Sequence, residues 1–413
     1  LPPLPETKPE GGALLPRLRQ AVRRTDRGVC CGIDVGGTDI KAAVSRDGRL
    51  LCVKEYDWDP ASSPTAEGIL APMELLVRLM ACCAAGPITP QLRRALRRDA
   101  TDREMAQAVA AHPAAKPDVL GVSFPDIVIR DKVAGGETPK MKGMRDNPAL
   151  NYEAAFGEIR ELRQRLLPLC APGAAVHLAN DGHIAAFTAA AELAFSGDVP
   201  DLSGGVIAHS LGTDFGFGCL LPDGSIPQTP MELYDFLLDL GSLHRAQLPP
   251  EDLRSTRNEN SGLAGARRYL GQAAAFRLAA ERQPRLLTGF ARREEGLLTI
   301  PSDLRKPCLA HLMDRAQAGD PDARWVFRQV GVHLGQISRE LDWVMAPETQ
   351  VRYLFGRFVK SPVCFRLMAE GCRSVLPRLR LEAADEDLAC TPLMRDLAGQ
   401  DVTVAQFGQA VGA

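Results

Sequence analysis

The chain has 413 residues, a formal net charge of −2, 45% hydrophobic residues and 24% charged residues. The length suits two domains, and the composition is ordinary for a globular protein. A charge so close to zero gives no support for a nucleic acid or an anionic membrane as partner. We expect no membrane span, because the apolar stretch at 75–86 is short and contains Arg78. The proline-rich start lacks a signal-peptide pattern, which predicts a cytoplasmic protein.

The predicted elements alternate between strands and helices after an N-terminal extension at 1–27, which contains a short basic helix. Apolar runs bounded by glycine or proline predict strands, at 29–35, 40–45, 50–56, 118–124, 174–179, 204–210, 217–221 and 350–355. Helical periodicity predicts helices, at 72–85, 90–111, 151–169, 181–195, 262–282, 303–318, 320–345 and 362–375. The 11 cysteines have no zinc-ligand spacing, so no structural zinc is expected.

A glycine turn joins the first two strands at Asp34, Gly36, Gly37 and Thr38. Glycine lets backbone N–H groups approach phosphate oxygens closely, and Thr38 adds a hydroxyl. Asp34 ends its strand and is suited to hold a magnesium-bound water beside a phosphate. A plain hairpin turn is the alternative for this segment.

The second half repeats the pattern loosely, with Gly212, Thr213 and Gly216 between two strands. Two such turns facing each other would clamp one polyphosphate. Two similar α/β halves with an active cleft between them would produce this duplication.

Asn180 and Asp181 come between a short strand and an alanine-rich helix. Both residue types are favoured as helix N-caps, which is one explanation of the pair. A carboxylate at this junction is also suited to act as a general base toward a substrate hydroxyl. The two glycine turns favour the catalytic alternative.

These segments, in this order, resemble the ROK family of bacterial sugar kinases and repressors. The matching stretches are DVGGT at 34–38 followed by Lys41, GVSFPD at 121–126, NDGHIAA at 180–186 and GTDFGFG at 212–218. The resemblance spans about 28–413. It implies a two-domain α/β fold of the actin/hexokinase (ribonuclease H-like) type with an interdomain cleft. The first domain would cover 28–181, completed by a helix at about 400–413, and the second would cover 182–399.

The resemblance implies an ATP-dependent kinase that phosphorylates a hydroxyl of a sugar or sugar-like polyol, with Asp181 as the base. ATP and Mg²⁺ would be its cofactors, with Asp34 binding the metal through water. The implied phosphate and nucleotide residues are Asp34, Gly36, Gly37, Thr38, Lys41, Gly212, Thr213, Gly216 and Gly356. The implied substrate residues are Asn180, Glu232, Asp235 and Ser123. Dimers are common in the family, which leaves a homodimer open.

Departures from the family pattern keep alternatives open. Asp235 stands where the family has histidine, Asp214 and Arg357 replace glycines of the phosphate and nucleotide turns, and the cysteine-rich zinc loop is missing. These changes favour a non-catalytic sugar-binding or sensor protein on the same fold, or a kinase of a cyclitol or amino sugar. The 27 residues of the N-terminal extension are too few for a DNA-binding domain of the family's repressors, so we expect no nucleic acid as partner. Lys140 and Lys142 fall in a stretch that lines the family's sugar pocket and could contact an anionic substrate, although solvated loop lysines are an equal explanation.

Overall fold

The structure is a computed structural model, and it describes residues 14–135, 139–212, 215–229, 233, 236, 238, 248–257, 264–384 and 387–413. Thr213, Asp214, Glu232 and Asp235 lie outside the described residues. The chain divides into two compact units. The first unit takes in the described residues that fall within 14–203, 218–229 and 387–413, and the second takes in those that fall within 204–217 and 233–384.

The described strands and helices are numbered in chain order. The strands are β1 Val29–Val35, β2 Asp39–Arg46, β3 Arg49–Asp57, β4 Val119–Phe124, β5 Val128–Ile129, β6 Lys132–Val133, β7 Ala175–Asn180, β8 Val206–Leu211, β9 Phe215–Leu220, β10 Arg292–Glu294, β11 Leu297–Thr299, β12 Val351–Phe355 and β13 Arg380–Ala383. The helices are α1 Leu14–Arg24, α2 Glu67–Ala85, α3 Pro90–Ala95, α4 Asp102–Ala111, α5 Lys142–Arg145, α6 Tyr152–Arg160, α7 Leu162–Leu166, α8 Asp181–Ala194, α9 Gly271–Arg282, α10 Ser302–Gln317, α11 Pro321–Met345, α12 Pro362–Val375, α13 Pro392–Ala398 and α14 Val404–Gly412.

The first unit contains a five-stranded sheet in the order β3-β2-β1-β4-β7. Strands β1, β2 and β3 pair antiparallel, whereas β4 runs parallel to both β1 and β7. Asp47 and Gly48 turn β2 into β3 with φ of 51° and 76°, as a tight two-residue hairpin requires. The strand–turn–strand opening predicted from the sequence is therefore confirmed.

Two long predicted helices are wrong as single elements. The stretch 90–111 forms α3 and α4, because Thr101 and Glu104 make a capping box that starts a new helix. The stretch 151–169 is divided in the same way into α6, α7 and a short 3₁₀ turn.

Helix α2 corrects the expectation that no stretch reaches membrane-spanning length. It is long and apolar enough by length and composition, and no other helix among the described residues is. Its most apolar stretch is 61% buried inside the protein, and Leu70, Met73 and Leu76 are fully buried in the core of the first unit. Helix α2 is therefore a core helix of the first unit.

The C-terminal helices cover the opposite face of the same sheet. Leu397 and Phe407 of α13 and α14 form a buried cluster with Ala43 of β2. A methyl group at Gly32 of β1 would overlap the carbonyl oxygen of Ala410, so this close approach requires glycine. Helix α14 thus belongs to the first unit, as does α8, whereas the sequence placed a domain boundary after Asp181.

The second unit is built around a sheet in the order β13-β12-β8-β9, in which β12 runs parallel to β8 and β13. Within β9 the chain passes to the first unit at Gly218, and after 229 the described residues up to 384 belong to the second unit again. Helices α9 to α12 and the β10–β11 hairpin complete the second unit. The long helix α11 packs on α12, where Gly331 and Gly371 allow the two backbones to approach closely.

Candidate active site

The register of the first sheet brings three predicted site residues to one edge. Asp34 of β1 lies opposite Ser123 of β4, and Phe124 lies opposite Asn180 of β7. These three strands are parallel, so their carboxyl ends meet at the same edge, where ligands of open α/β sheets bind. Asp181 follows β7 directly as the first residue of α8.

The predicted phosphate turn is a tight, braced loop. The Gly36 N–H donates to the Asp39 carbonyl at 2.8 Å, and Trp58 Nε1 donates to the Gly36 carbonyl at 3.1 Å. A methyl group at Gly36 would lie 2.7 Å from the Asp39 oxygen, so the turn requires glycine. Gly37 and Thr38 are exposed at the tip. The turn therefore offers backbone N–H groups on a fixed frame.

Two carboxylates of this segment have different environments. Asp39 forms an ion pair with Lys41 and also accepts from Thr38 Oγ1 at 3.2 Å. Asp34 accepts from Ser123 Oγ at 2.7 Å. Burial raises the pKa of Asp34 to about 6, while the Ser123 hydrogen bond and the Lys41 charge oppose the shift and the Asp181 charge adds to it. The mutual repulsion means that Asp34 and Asp181 lie within electrostatic range of each other.

Asn180 and Asp181 have different contacts at the start of α8. Asn180 is the N-cap of α8, since its Oδ1 accepts from the Gly182 N–H at 2.9 Å and its Nδ2 donates to the Asp126 carbonyl at 3.0 Å. Among the described residues, the one hydrogen bond to the Asp181 carboxylate is local, from the Gly182 N–H at 2.8 Å. Burial raises the pKa of Asp181, and the charge of Lys140 opposes this shift. The cap is thus Asn180, which leaves the Asp181 carboxylate for chemistry.

Gln409 of α14 connects the two halves of this site, and the sequence analysis missed it. Its Nε2 donates to Ser123 Oγ at 3.1 Å and to the Asp181 carbonyl at 2.6 Å. Ser123 is fully buried and donates in turn to Asp34. A chain of hydrogen bonds therefore runs from the Asp34 carboxylate to the Asp181 backbone. No local pattern at 404–412 signals this contact, because its partners lie more than 200 residues away.

The second unit groups its predicted nucleotide residues at one strand edge. Phe355 of β12 lies opposite Ser210 of β8, and Gly356 follows with φ of 93°. A methyl group at Gly356 would overlap the Leu211 carbonyl oxygen, so the two chain segments touch there. Gly212 accepts a hydrogen bond on its carbonyl from the Gln272 N–H at 2.9 Å. Gly212 and Gly356 therefore belong to one glycine-lined edge of the second sheet.

The residues of the first unit fit a magnesium-bound polyphosphate. Among the described residues no group of three or more His, Cys, Asp or Glu side chains is arranged to hold a metal ion. Magnesium at nucleotide sites needs less, because one or two carboxylates, waters and the phosphates complete its shell. Asp34, beside the exposed glycine turn, would supply such a carboxylate.

The buried carboxylate of Asp34 gives a prediction that needs no substrate. A carboxyl whose pKa rises on folding holds its proton more tightly in the native state, so stability falls as pH rises from about 4 to about 6. Asp34→Asn removes this loss. We expect the free energy of unfolding of the variant, relative to that of the natural chain, to be about 3 kcal/mol higher at pH 7 than at pH 3. Urea unfolding of both proteins at each pH measures this difference, and a constant difference would contradict the assigned environment.

Comparisons with solved structures agree with this architecture. The ROK hexokinase of Thermus thermophilus has 16% sequence identity and a TM-score of 0.51 over 93% of this chain and 98% of that chain. A glucokinase from Balamuthia mandrillaris in complex with glucose has 12% identity and a TM-score of 0.53 over 96% and 98% of the two chains. A ROK-family transcriptional regulator, a homologue of the E. coli MLC protein, has 13% identity and a TM-score of 0.53 over 93% and 79%.

No protein-family model and no curated protein sequence matches the chain. The structural similarity therefore concerns the fold, and it confirms both the resemblance to ROK proteins and the α/β hexokinase-like class expected from the motifs.

Proposed function

Because the chain has the fold of ROK-family sugar kinases, we propose that it is an ATP-dependent kinase that phosphorylates a hydroxyl of a sugar or sugar-like polyol. One observation carries the proposal: a glycine phosphate turn, the carboxylate Asp34 and the carboxylate Asp181 share one edge of a single sheet. The hexokinase and glucokinase with this fold add support.

The proposed roles follow from the contacts of each residue. Asp181 accepts the proton of the attacking hydroxyl, and its raised pKa strengthens it as a base. The N–H groups of Gly37 and Thr38 and the Thr38 hydroxyl bind phosphate oxygens, since the Gly36 N–H is already bonded to the Asp39 carbonyl. Asp34 binds magnesium through water, and Lys41 holds Asp39 away from the phosphates. When bound, Mg²⁺ would supply charge neutralisation on the phosphates.

Ser123 takes a different role from the one expected from the sequence. Its hydroxyl is fully buried and bonded to both Asp34 and Gln409. We therefore assign it to the positioning of Asp34. Substrate contacts by Asn180, Glu232 and Asp235, and nucleotide contacts by Gly212, Thr213, Gly216 and Gly356, stay predictions.

Gln409 is expected to act as a positioning residue. Gln409→Leu removes the bonds that Gln409 donates to Ser123 and to the Asp181 carbonyl. We expect kcat to fall about tenfold, which corresponds to the net free energy of about one hydrogen bond. KM for ATP and for the acceptor should stay within about twofold, because Gln409 is assigned no ligand.

Gln406 is the matched control on the same helix. It donates to Glu55 Oε2 at 2.5 Å, in a contact without an assigned part in the reaction. Gln406→Leu should lose similar stability and keep its kcat. Equal losses of kcat in the two variants would mean that Gln409 has only a structural role. Steady-state kinetics and thermal melts of both variants decide this.

The proposal is tested by phosphorylation of a panel of hexoses, amino sugars and cyclitols with ATP and Mg²⁺. A product phosphorylated on a hydroxyl is expected from at least one acceptor class. The panel also separates a sugar kinase from a cyclitol or amino-sugar kinase, an alternative suggested by Asp235.

A sensor on the same fold is the second candidate, and the structural similarity to the ROK-family regulator favours it. Asp214 and Arg357 replace glycines in the turns that would bind nucleotide. Calorimetry distinguishes the two candidates, because a sensor of this kind binds a sugar without binding ATP and Mg²⁺.

A further inference from the structure

Lys140 lies in a segment that is firmly held against the rest of the first unit. Met141 and Met144 on its C-terminal side are buried in the core. A methyl group at Gly143 would lie 2.8 Å from the Ala61 carbonyl oxygen, and Asn147 Nδ2 donates to the Pro64 carbonyl at 2.9 Å. The backbone that carries Lys140 is therefore fixed on the segment at 60–64.

The Lys140 side chain reaches the phosphate turn. A methyl group built on Gly37 would lie 3.6 Å from Lys140 Cε, which is ordinary van der Waals contact. Its charge also acts on Asp181, where it opposes the rise in pKa caused by burial. The ammonium group is thus near both the turn and the proposed base.

Lys140 forms no ion pair within the described part of the chain. No carboxylate there lies within ion-pairing distance of its Nζ, whereas Lys41 pairs with Asp39 and Lys142 pairs with Asp146. The ammonium group of this half-buried lysine is therefore able to bind an anionic ligand at the phosphate turn.

The surrounding carboxylates explain why a cation is needed. Asp34 and Asp181 would repel a polyphosphate on the glycine turn, and Lys41 is occupied by Asp39. Phosphoryl transfer concentrates negative charge on the oxygens of the transferred group, and a fixed cation there stabilises the transition state. Lysine binds phosphate as a compact point charge.

We propose that Lys140 is a catalytic residue that binds the phosphoryl group during its transfer to the acceptor hydroxyl. The inference rests on the proposed kinase function. The acceptor oxygen bonds to phosphorus as the bond from phosphorus to the oxygen of the nucleoside diphosphate breaks. The hydroxyl proton goes to Asp181, and Lys140 stays protonated throughout.

The first test measures binding of inorganic tripolyphosphate, with and without Mg²⁺, by calorimetry. Lys140→Met should weaken binding at least about tenfold, as expected for one partly solvated charge pair. Lys142→Met is the matched control, because it removes a nearby exposed lysine paired with Asp146, and its affinity should stay within about twofold. Unchanged affinity in Lys140→Met, or a natural chain that binds no tripolyphosphate, would overturn the proposal.

The second test measures transfer across pH with an acceptor found by the panel. Lys140→Met should lower kcat about 100-fold or more, the usual effect of one lost transition-state contact. The acid limb of its pH profile should move to higher pH, because Asp181 loses the charge that opposes its raised pKa. Lys140→Arg should keep the limb in place. A limb that does not move in Lys140→Met would contradict the assignment.

If no acceptor is phosphorylated, the kinase proposal fails, while the tripolyphosphate result still decides whether Lys140 binds phosphate.

Discussion

Asp181→Asn is expected to fold like the natural chain and to lose phosphoryl transfer by about 100-fold to 10,000-fold, the range for removal of a general base. Asparagine keeps the size of the side chain and an oxygen that can accept from the Gly182 N–H. It cannot accept the hydroxyl proton. Because burial disfavours the charged aspartate, the variant should melt at the same temperature or higher.

Asp102→Asn is the matched control for this prediction. Asp102 is the first residue of α4, as Asp181 is the first residue of α8, but it is exposed and has no assigned part in the site. Its loss should cost at most about 1 kcal/mol through the helix dipole and leave kcat unchanged. If Asp181→Asn kept most of its activity, or both variants lost it equally, Asp181 would not be the base.

Gly32→Ala is expected to destabilise the protein by about 1–3 kcal/mol through overpacking. The new methyl group would overlap the Ala410 carbonyl oxygen, which belongs to the helix that also carries Gln409. Helix α14 must therefore move away from β1. We expect kcat to fall as well, because Gln409 then loses its bonds to Ser123 and Asp181.

Gly157→Ala is the matched control, since it adds the same methyl group where no atom lies within 4 Å. Alanine within helix α6 should stabilise the protein by about 0.5–1 kcal/mol and leave kcat unchanged. Denaturant unfolding with kinetics on both variants measures the contrast. Equal stability changes would show that α14 does not lie on β1 as described.

The sequence predicted those parts of the fold that depend on local patterns. The first hairpin follows from apolar runs and the Asp47–Gly48 pair, and α8 follows from its cap and its alanine-rich stretch. The break between α3 and α4 was also signalled locally, by Thr101 and Glu104, but helical periodicity masked it. Strand β13 was missed because four mostly exposed residues give no strong pattern.

The candidate site was predictable only in part. Asp34 and Asp181 could be assigned because motifs surround them. Gln409 could not, because its contacts are with residues far away in the chain, and for Lys140 the sequence indicated a pocket position but not the proximity to the Gly37 turn. For the Asn180–Asp181 pair the structure confirms the cap explanation at Asn180, and the catalytic role of Asp181 stays a proposal.

The most direct test of the account is transfer of label from γ-labelled ATP to the acceptor panel by the natural chain and by Asp181→Asn. We expect the natural chain to label at least one sugar or polyol on a hydroxyl and Asp181→Asn to label none at a comparable rate. Labelling of no acceptor by the natural chain, or equal labelling by both proteins, would contradict a sugar kinase that uses Asp181 as its base.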